Sequence, residues 1–172
     1  MTLCPFRPDD ESTMLRLLTD PIIGKTYMLP DYPKPEAAIP LFHRMMDLSN
    51  NPDRYVRGIY LDGKLIGFMN DPEIQDTTIE VGYVIDPAYH NQGYMTQALT
   101  LAIQDLFSKG YTVVKAGAFE GNIASMRVME KSGMHRIDYS DTIEYRGKNH
   151  QCIYYSIEKQ EQEYAEISVP DP

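Results

Sequence analysis

One segment, residues 79–108, limits the possible folds more than any other part of this 172-residue chain. It contains an apolar strand over residues 79–85, the pair Asp86-Pro87, a polar turn over residues 90–96 and an amphipathic helix that ends near Ser108. A turn between a strand and a helix start gathers backbone N–H groups that have no partner within the helix, and the helix dipole adds partial positive charge there. The sequence therefore predicts a binding site for a phosphorylated cofactor at this turn.

Chain length predicts one globular domain, and net charge and the short apolar runs argue against nucleic-acid and membrane partners. A chain of 172 residues is long enough for one domain with a hydrophobic core and short for two. Its formal net charge of −9 is the opposite of what nucleic-acid binding requires, so we expect no nucleic-acid partner. The apolar runs fall far short of a membrane span, so we expect no membrane partner either.

Cysteine and histidine usage predicts neither a disulfide framework nor a metal site. Cys4 and Cys152 are the only cysteines and lie far apart, and the four histidines are scattered along the chain. The first residues lack the apolar stretch of a secretory signal. We therefore expect a reduced, cytoplasmic protein without a bound metal.

Hydrophobic periodicity and turn signals predict the element order β-α-α-β-β-β-α-β-α-β-β. The strands are predicted at residues 3–7, 55–61, 64–70, 77–85, 111–119, 134–145 and 151–158. The helices are predicted after Asp10, from about Ala37 to the stop at Asn50-Asn51-Pro52-Asp53, over residues 93–108 and from Asn122 to Ser132-Gly133. This order predicts an α/β fold with a central mixed sheet flanked by about four helices. We expect one domain over residues 1–158, followed by an acidic, poorly ordered tail over residues 159–172.

Three segments of the chain resemble the GNAT superfamily of acyl-CoA-dependent N-acetyltransferases, and most closely its RimJ/RimL-type branch. The segments are Ile79-Glu80-Val81-Gly82-Tyr83-Val84-Ile85-Asp86-Pro87, then Asn91-Gln92-Gly93-Tyr94-Met95-Thr96-Gln97-Ala98-Leu99, then Asn122 with Ser125-Met126-Arg127-Val128-Met129-Glu130-Lys131-Ser132-Gly133-Met134. A glycine turn alone is a weak signal, but these segments in this order and spacing are together a strong one. The resemblance implies the GNAT fold, acetyl-CoA as cosubstrate and CoA as product.

The resemblance also implies which residues hold the cofactor. The expected cofactor-binding residues are Tyr83, Val84, Ile85, Asn91, Gln92, Gly93, Tyr94, Met95, Thr96, Asn122 and Ser125. The loop departs from the family pattern at two positions: His90 replaces an arginine or glutamine, and Met95 stands where glycine or alanine is usual. Gly93 keeps the close backbone approach to the pyrophosphate, whereas we expect Met95 to crowd the site.

Glu80 is the candidate general base, acting through a water, because it interrupts an apolar strand and related enzymes use a carboxylate there. Strict alternation places Glu80 and Val84 on one face of the strand and Val81 and Tyr83 on the other. The competing interpretation is an exposed strand carboxylate without a catalytic role. The two interpretations have equal weight.

The general acid is less well defined. Many relatives have a tyrosine seven residues after the asparagine, and here that position is Met129, which cannot donate a proton. Ser125 is the candidate to contact the thiol, with a purely structural or cofactor-binding role as the alternative. Asn122 is expected to contact the pantetheine or to cap the fourth helix, and these roles can coexist.

The acceptor is expected to be a primary amine, either a protein N-terminus or an amine-bearing small molecule. The loop over residues 30–35 lies where this family shapes its acceptor site, and tyrosines are abundant around it. The alternative function is a non-catalytic GNAT-fold module that binds acyl-CoA as a sensor or for structure. Analogy with the family makes a homodimer possible, but no residue of this chain argues for it.

Overall fold

A computed structural model describes residues 1–160 of the chain and contains seven strands and four α-helices in the predicted order. The strands are β1 (Thr2–Cys4), β2 (Arg57–Leu61), β3 (Lys64–Gln75), β4 (Thr78–Ile85), β5 (Val113–Phe119), β6 (His135–Tyr145) and β7 (Lys148–Glu158). The helices are α1 (Glu11–Leu18), α2 (Ile39–Ser49), α3 (Tyr94–Ser108) and α4 (Ile123–Lys131).

The strands hydrogen-bond in the order β1-β2-β3-β4-β5-β7-β6. The β4–β5 pair is parallel, whereas β1–β2, β2–β3, β5–β7 and β6–β7 are antiparallel. The mixed sheet with four helices confirms the predicted fold class.

Two hairpins follow from residues that adopt a left-handed backbone. Asp62 and Gly63 have φ of 49° and 79°, which confirms the two-residue turn between β2 and β3. Arg146 and Gly147 have φ of 52° and 72°, so β7 begins directly after them at Lys148. The sequence predicted that this strand begins at residue 151, since lysine and asparagine after the glycine were assigned to the turn rather than to the strand.

Contacts between Cα atoms divide the chain into two compact units. The first unit, Met1–Asp71 with Gly82–Ala98, has a hydrophobic core in which α1, α2, β2 and β3 bury their apolar faces. Its largest fully buried side chains include Phe42, Tyr60 and Phe68, and Val84 belongs to the same core. Burial of such side chains contributes about 1.5–3 kcal/mol each, so this unit holds its loops on a well-packed base.

The second unit contains Pro72–Val81 and the described residues from Leu99 onward. The first half of β4 and most of α3 supply buried apolar residues to it. Most of β5 alternates buried and partly exposed side chains, whereas β7 buries four consecutive residues, Cys152 to Tyr155. Lys159, the first residue of the predicted tail, donates its backbone N–H to the Thr112 carbonyl at 3.0 Å. Residues 161–172 of that tail lie outside the described residues.

Within residues 1–160, the helices are too short or too polar to cross a membrane.

Candidate functional site

The turn predicted to bind phosphate lies in the first unit, between β4 and α3. Asn91 and Gly93 have φ of 58° and 79°, so both adopt the left-handed conformation. A Cβ at residue 93 would meet no atom within 4 Å, so glycine is needed there for its backbone and not for space. The Gly93 carbonyl accepts a hydrogen bond from the Gln97 N–H at 3.1 Å and so starts α3. The turn therefore presents the first N–H groups of a 15-residue helix to an exposed loop.

Two polar side chains of this turn bond back to the preceding backbone. His90 Nε2 lies 3.1 Å from the Ile85 carbonyl oxygen, and Gln92 Nε2 donates to the Ala88 carbonyl at 3.2 Å. His90 thus stabilises the loop shape in place of the arginine or glutamine expected from the family pattern.

Asp86 anchors the start of the turn from inside the protein. It is 5% exposed, and its carboxylate accepts hydrogen bonds from the Ala88 N–H at 3.0 Å and from Arg16 Nη2 at 2.6 Å. Its own N–H donates to the Ile66 carbonyl at 2.8 Å. Burial alone would raise the pKa of Asp86, but the hydrogen bonds from Arg16 and Ala88 and the nearby positive charges lower it.

Sequence reasoning missed the partner of Asp86. An aspartate followed by proline is a recognisable start of a helical turn, so the cap itself was detectable. Arg16 lies 70 residues earlier on α1, and no local pattern connects the two.

Gly67 on β3 lets the end of β4 approach closely. A Cβ at this glycine would collide with the Val84 carbonyl oxygen and would lie 3.0 Å from the Ile85 Cα. Any larger residue would push the strand end away. Gly67 is therefore a second position that the sequence analysis missed, since a glycine within a strand signals close backbone approach without naming the partner.

The burial pattern of β4 departs from the strict alternation that was predicted. Ile79 and Val81 are buried, but the next buried residue is Val84, while Tyr83 is only half-buried. The interval of three residues means that the face assignments made for the first half of the strand do not carry over to the second half.

Met95 does not protrude into the loop as expected. Its side chain is 7% exposed, so it packs in the interior beneath the first turn of α3. The expectation that Met95 crowds the cofactor loop is therefore corrected: in this fold it is a core residue. Tyr94 and Thr96 on either side of it are partly exposed.

Glu80 lies in the second unit, on the first half of β4. Its register partner on the parallel neighbour β5 is Lys115. Burial raises the pKa of the Glu80 carboxyl; the positive charge of Lys115 acts in the opposite direction, and the negative charge of Glu73 adds to the increase. A carboxylate with a raised pKa accepts a proton more readily, as a general base must.

Two residues of β7, Cys152 and Tyr154, interact electrostatically with Glu80. The Tyr154 hydroxyl donates a hydrogen bond to the Cys152 thiol, and the electrostatic influence of Glu80 reaches both side chains. The Tyr154 ring lies across Gly117 of β5, where a Cβ would come within 2.7 Å of the ring. Burial raises the pKa of Cys152 and of Tyr154, so both are neutral at physiological pH.

Asn122 and Ser125 lie at the start of α4, also in the second unit. Asn122 Oδ1 accepts a hydrogen bond from the Ser125 N–H at 3.2 Å, which makes Asn122 the N-cap of this nine-residue helix. The capping role is thereby confirmed. Met129 has no exposed surface, so it fills the core where relatives have a tyrosine.

The first unit also contains a cavity of about 280 Å³. Its walls are mostly apolar, but they include Arg44 and the ion pair between Arg54 and Asp71, whose Nη2 and Oδ1 atoms lie 2.8 Å apart. Leu18, Leu29 and Phe68 belong both to these walls and to the hydrophobic core that contains Val84. Part of the lining is Tyr27, Met28 and Leu29, which directly precede the loop predicted to shape an acceptor site, and Pro30, the first residue of that loop.

The tyrosines around the predicted acceptor loop and the cofactor turn do not form one group. Tyr55 is 2% exposed and belongs to the interior, whereas Tyr27 donates its hydroxyl to Asn70 at 2.9 Å beside the cavity. Tyr89 and Tyr94 lie edge to face with their ring centres 6.0 Å apart, next to the turn before α3. Tyr27 thus lines the cavity, whereas Tyr55 is a packing residue.

Comparison with known proteins adds a family match. A sequence model described as an acetyltransferase (GNAT) domain matches residues 1–135. A curated protein of Bacillus subtilis (strain 168), "Probable N-acetyltransferase YjcK", is 32% identical over 90 residues. These residues are 49% of this chain and 50% of that protein, so the chain matches about half the length of this curated relative.

Solved structures show the same fold at low sequence identity. The spermidine N-acetyltransferase from Vibrio cholerae, in complex with CoA and spermine, has a TM-score of 0.77 and 14% identity, covering 93% of this chain and 96% of that one. RimL, a ribosomal L7/L12 alpha-N-protein acetyltransferase in complex with coenzyme A, has a TM-score of 0.78 and 16% identity, covering 91% and 92%.

Proposed function

This chain belongs to the GNAT acetyltransferase family, and we propose that it transfers an acetyl group from acetyl-CoA to a primary amine. The observation that carries the proposal is the turn before α3, in which Gly93 adopts a left-handed backbone and directs a helix start toward an exposed loop. Such a turn suits the pyrophosphate of a CoA ester. The family match covers this turn and the strand before it.

The donor is acetyl-CoA, and main-chain groups bind most of it. Residues 91–96 hold the pyrophosphate through N–H groups, while the backbone of Tyr83, Val84 and Ile85 pairs with the pantetheine. Asn122 and Ser125 contact the same arm. Because these contacts need few side chains, the departures from the family pattern at His90 and Met95 are compatible with binding. The hydrogen bond of His90 to Ile85 and the burial of Met95 support this proposal.

The amine attacks the thioester directly, in a ternary complex, with Glu80 as general base through a water. The attacking nitrogen loses a proton, which Glu80 accepts; the carbon–sulfur bond breaks, and CoA leaves as a thiolate. A thiol has a pKa of roughly 8.5, so it leaves readily without a strong acid. This accounts for Met129, which cannot donate a proton, and leaves Ser125 as the hydroxyl that can contact the departing sulfur.

The lining of the cavity in the first unit favours one class of amine over another. Arg44 and Arg54 bring two guanidinium groups and Asp71 brings one carboxylate, so the wall carries net positive charge. A polyamine would meet repulsion there, whereas an amine attached to an apolar side chain would bury that side chain. We therefore propose that the acceptor is a peptide N-terminus and not a polyamine.

The test is acetyl transfer from labelled acetyl-CoA to a panel of amines, followed by mass spectrometry. The panel contains peptides with apolar or cationic first residues, the same peptides with blocked N-termini, single amino acids and spermidine. We expect acetylation of peptides with a free N-terminus and an apolar first residue. If spermidine were the best acceptor, the peptide assignment would be wrong while acetyl transfer would stand.

The alternative is a non-catalytic GNAT-fold module that binds acyl-CoA. The buried Met129 at the position of the usual tyrosine is the observation in its favour. The same panel separates the two functions. Binding of acetyl-CoA without acetylation of any amine, including amines in a cell extract, would support the non-catalytic module.

A further inference from the structure

Lys115 is held on the same sheet face as Glu80 by its position in the β-strands. The two residues are register partners on the parallel strands β4 and β5, and side chains at partner positions point to the same face. On the other side of β5, the register partner of Lys115 is Ser156 of β7. Lys115 therefore lies in the row of side chains that crosses the sheet beside Glu80.

Two tyrosine rings fix the ammonium group of Lys115. Its Nζ lies 5.7 Å from the ring centre of Tyr139 and 5.6 Å from that of Tyr154. Both distances are within the range at which a cation is attracted to an aromatic face. Tyr139 is 53% exposed, so its contact with the lysine accounts for a large aromatic side chain on the surface of β6.

The charge of Lys115 influences the ionisation of Glu80 without a direct ion pair between the two side chains. In the described part of the chain, the ion pairs do not include one between Lys115 and Glu80. The two charges nevertheless interact across the sheet face. The rings thus hold the cation where its charge favours the carboxylate form of Glu80, without an ion-pair contact to the carboxylate oxygens.

The other groups that face Glu80 do not supply positive charge. Glu73 on β3 is negative and opposes ionisation of Glu80. On β7, Cys152 and Tyr154 interact with Glu80, and burial keeps both neutral. Tyr139 of β6 contacts Lys115 and Tyr154, and Asp141 of β6 adds negative charge near Cys152. Lys115 is the cation among these facing groups.

We propose that Lys115, clamped between Tyr139 and Tyr154, is a positioning residue that keeps the Glu80 carboxylate anionic and open to the acceptor amine. The proposal rests on the proposed function, in which Glu80 is the general base. A lysine that only packed against tyrosines would not affect the ionisation of Glu80. The charge of Lys115, rather than its packing, is therefore what the experiment must isolate.

The first test measures Glu80 directly, without turnover. Carboxyl-carbon NMR of the protein with labelled glutamate follows ionisation, and Glu80→Gln identifies the resonance by its loss. We expect the titration midpoint of Glu80 to rise in Lys115→Met and to return to the wild-type value in Lys115→Arg. Lys109→Met, which removes an exposed lysine directly after α3 that pairs with Asp105, should leave the midpoint unchanged. An unchanged midpoint in Lys115→Met would overturn the proposal.

A second variant protects the test against misfolding. Tyr139→Leu removes one wall of the clamp at an exposed position, where substitution is tolerated. It should raise the Glu80 midpoint less than Lys115→Met does, because the ammonium is released but still present. No rise in either folded variant would again contradict the clamp.

The pH dependence of kcat/KM separates this proposal from the assignment of the base. In Lys115→Met, the acid limb should move to higher pH, with a loss of about threefold or more on that limb and a retained alkaline plateau. Lys115→Arg should restore the limb. If NMR shows the rise but the limb does not move, the lysine acts on Glu80 as proposed and Glu80 is not the base.

Discussion

The folded state disfavours the ionised form of the Glu80 side chain. Burial and the nearby Glu73 disfavour its charged form, so the pKa in the folded state is raised above the unfolded value, although Lys115 partly opposes the rise. With a raised pKa, the folded state binds the proton more tightly than the unfolded state. Stability is therefore lower when Glu80 is ionised and increases as pH falls through the folded pKa toward the unfolded one.

Replacement of Glu80 by glutamine should separate stability from activity. We expect Glu80→Gln to unfold at or above the wild-type temperature near neutral pH, because the neutral amide avoids the cost of a buried charge. The difference should shrink as pH is lowered toward roughly 4.3, the unfolded pKa of glutamate. Acetyl transfer should fall by about 100-fold or more, the usual contribution of a general base. Thermal unfolding over a pH series and steady-state kinetics measure the two effects.

The opposite pair of results would remove Glu80 from the mechanism. A destabilised Glu80→Gln variant with full turnover would identify an ordinary strand carboxylate, which was the competing interpretation of the sequence.

Met95 gives a second prediction at the scale of the residue. Because its side chain is 7% exposed, Met95→Ala should cost about 2–4 kcal/mol of unfolding free energy, with no gain in acetyl-CoA affinity. Met95→Leu is the matched control and should cost about 1 kcal/mol or less, since it keeps the buried volume. Denaturant unfolding and calorimetric titration are the measurements. Tighter cofactor binding by a fully stable Met95→Ala would show that the methionine crowds the loop after all.

At the scale of the element, the turn before α3 depends on an anchor from another helix. Arg16 of α1 reaches Asp86, and Asp86 in turn caps the short helical turn Pro87–Tyr89 that leads into the loop. The carboxylate is buried while the Arg16 side chain is 53% exposed, so solvent screens part of the attraction. The pair therefore contributes mainly to the shape of the loop and modestly to the stability of the protein.

Asp86→Asn tests this anchor, since asparagine keeps an acceptor for the Ala88 N–H and loses the charge that faces Arg16. We expect a loss of about 1 kcal/mol in unfolding free energy at neutral pH and weaker acetyl-CoA binding. The pKa of Asp86 is lowered in the fold, so its contribution is present above the unfolded pKa of roughly 3.9 and is lost as pH falls through the folded value. The difference between variant and wild type should therefore vanish in acid.

A matched control comes from the ion pair at the C-terminal end of α3, in which Asp105 Oδ1 lies 3.2 Å from Nζ of Lys109, the residue directly after the helix. Asp105→Asn should cost roughly 0.5 kcal/mol or less and leave cofactor binding unchanged. Equal effects of the two variants on acetyl-CoA affinity would show that Asp86 has no special role in the loop.

Local sequence patterns predicted the elements because each element has its own signal. The Asp62-Gly63 hairpin, the helix cap at Asn122 and the strand–turn–helix around Gly93 all follow from residues within a few positions of one another. The missed features connect distant positions: Arg16 with Asp86, Gly67 with Val84, and Lys115 with Glu80. Such pairs depend on strand register and helix placement, which no local pattern contains.

At the scale of the whole molecule, the element order and the mixed sheet were predictable, whereas the placement of single side chains was not. The GNAT resemblance was visible in the sequence because its motifs are short and ordered along the chain, and the family match over residues 1–135 confirms it. The burial of Met95 and the broken alternation of β4 required coordinates. The assignment of one domain over residues 1–158, the cytoplasmic location and a homodimer remain predictions.

The central claim, that this chain uses acetyl-CoA, is tested most directly by a thermal-shift titration of the whole protein with acetyl-CoA, CoA and ATP. A ligand that binds the native state alone stabilises it by about 2.7 kcal/mol at a hundredfold excess over its dissociation constant. We predict a clear upward shift with acetyl-CoA and with CoA, a smaller shift for both in Asp86→Asn, and none with ATP. No shift with acetyl-CoA or CoA at millimolar concentration would contradict the claim.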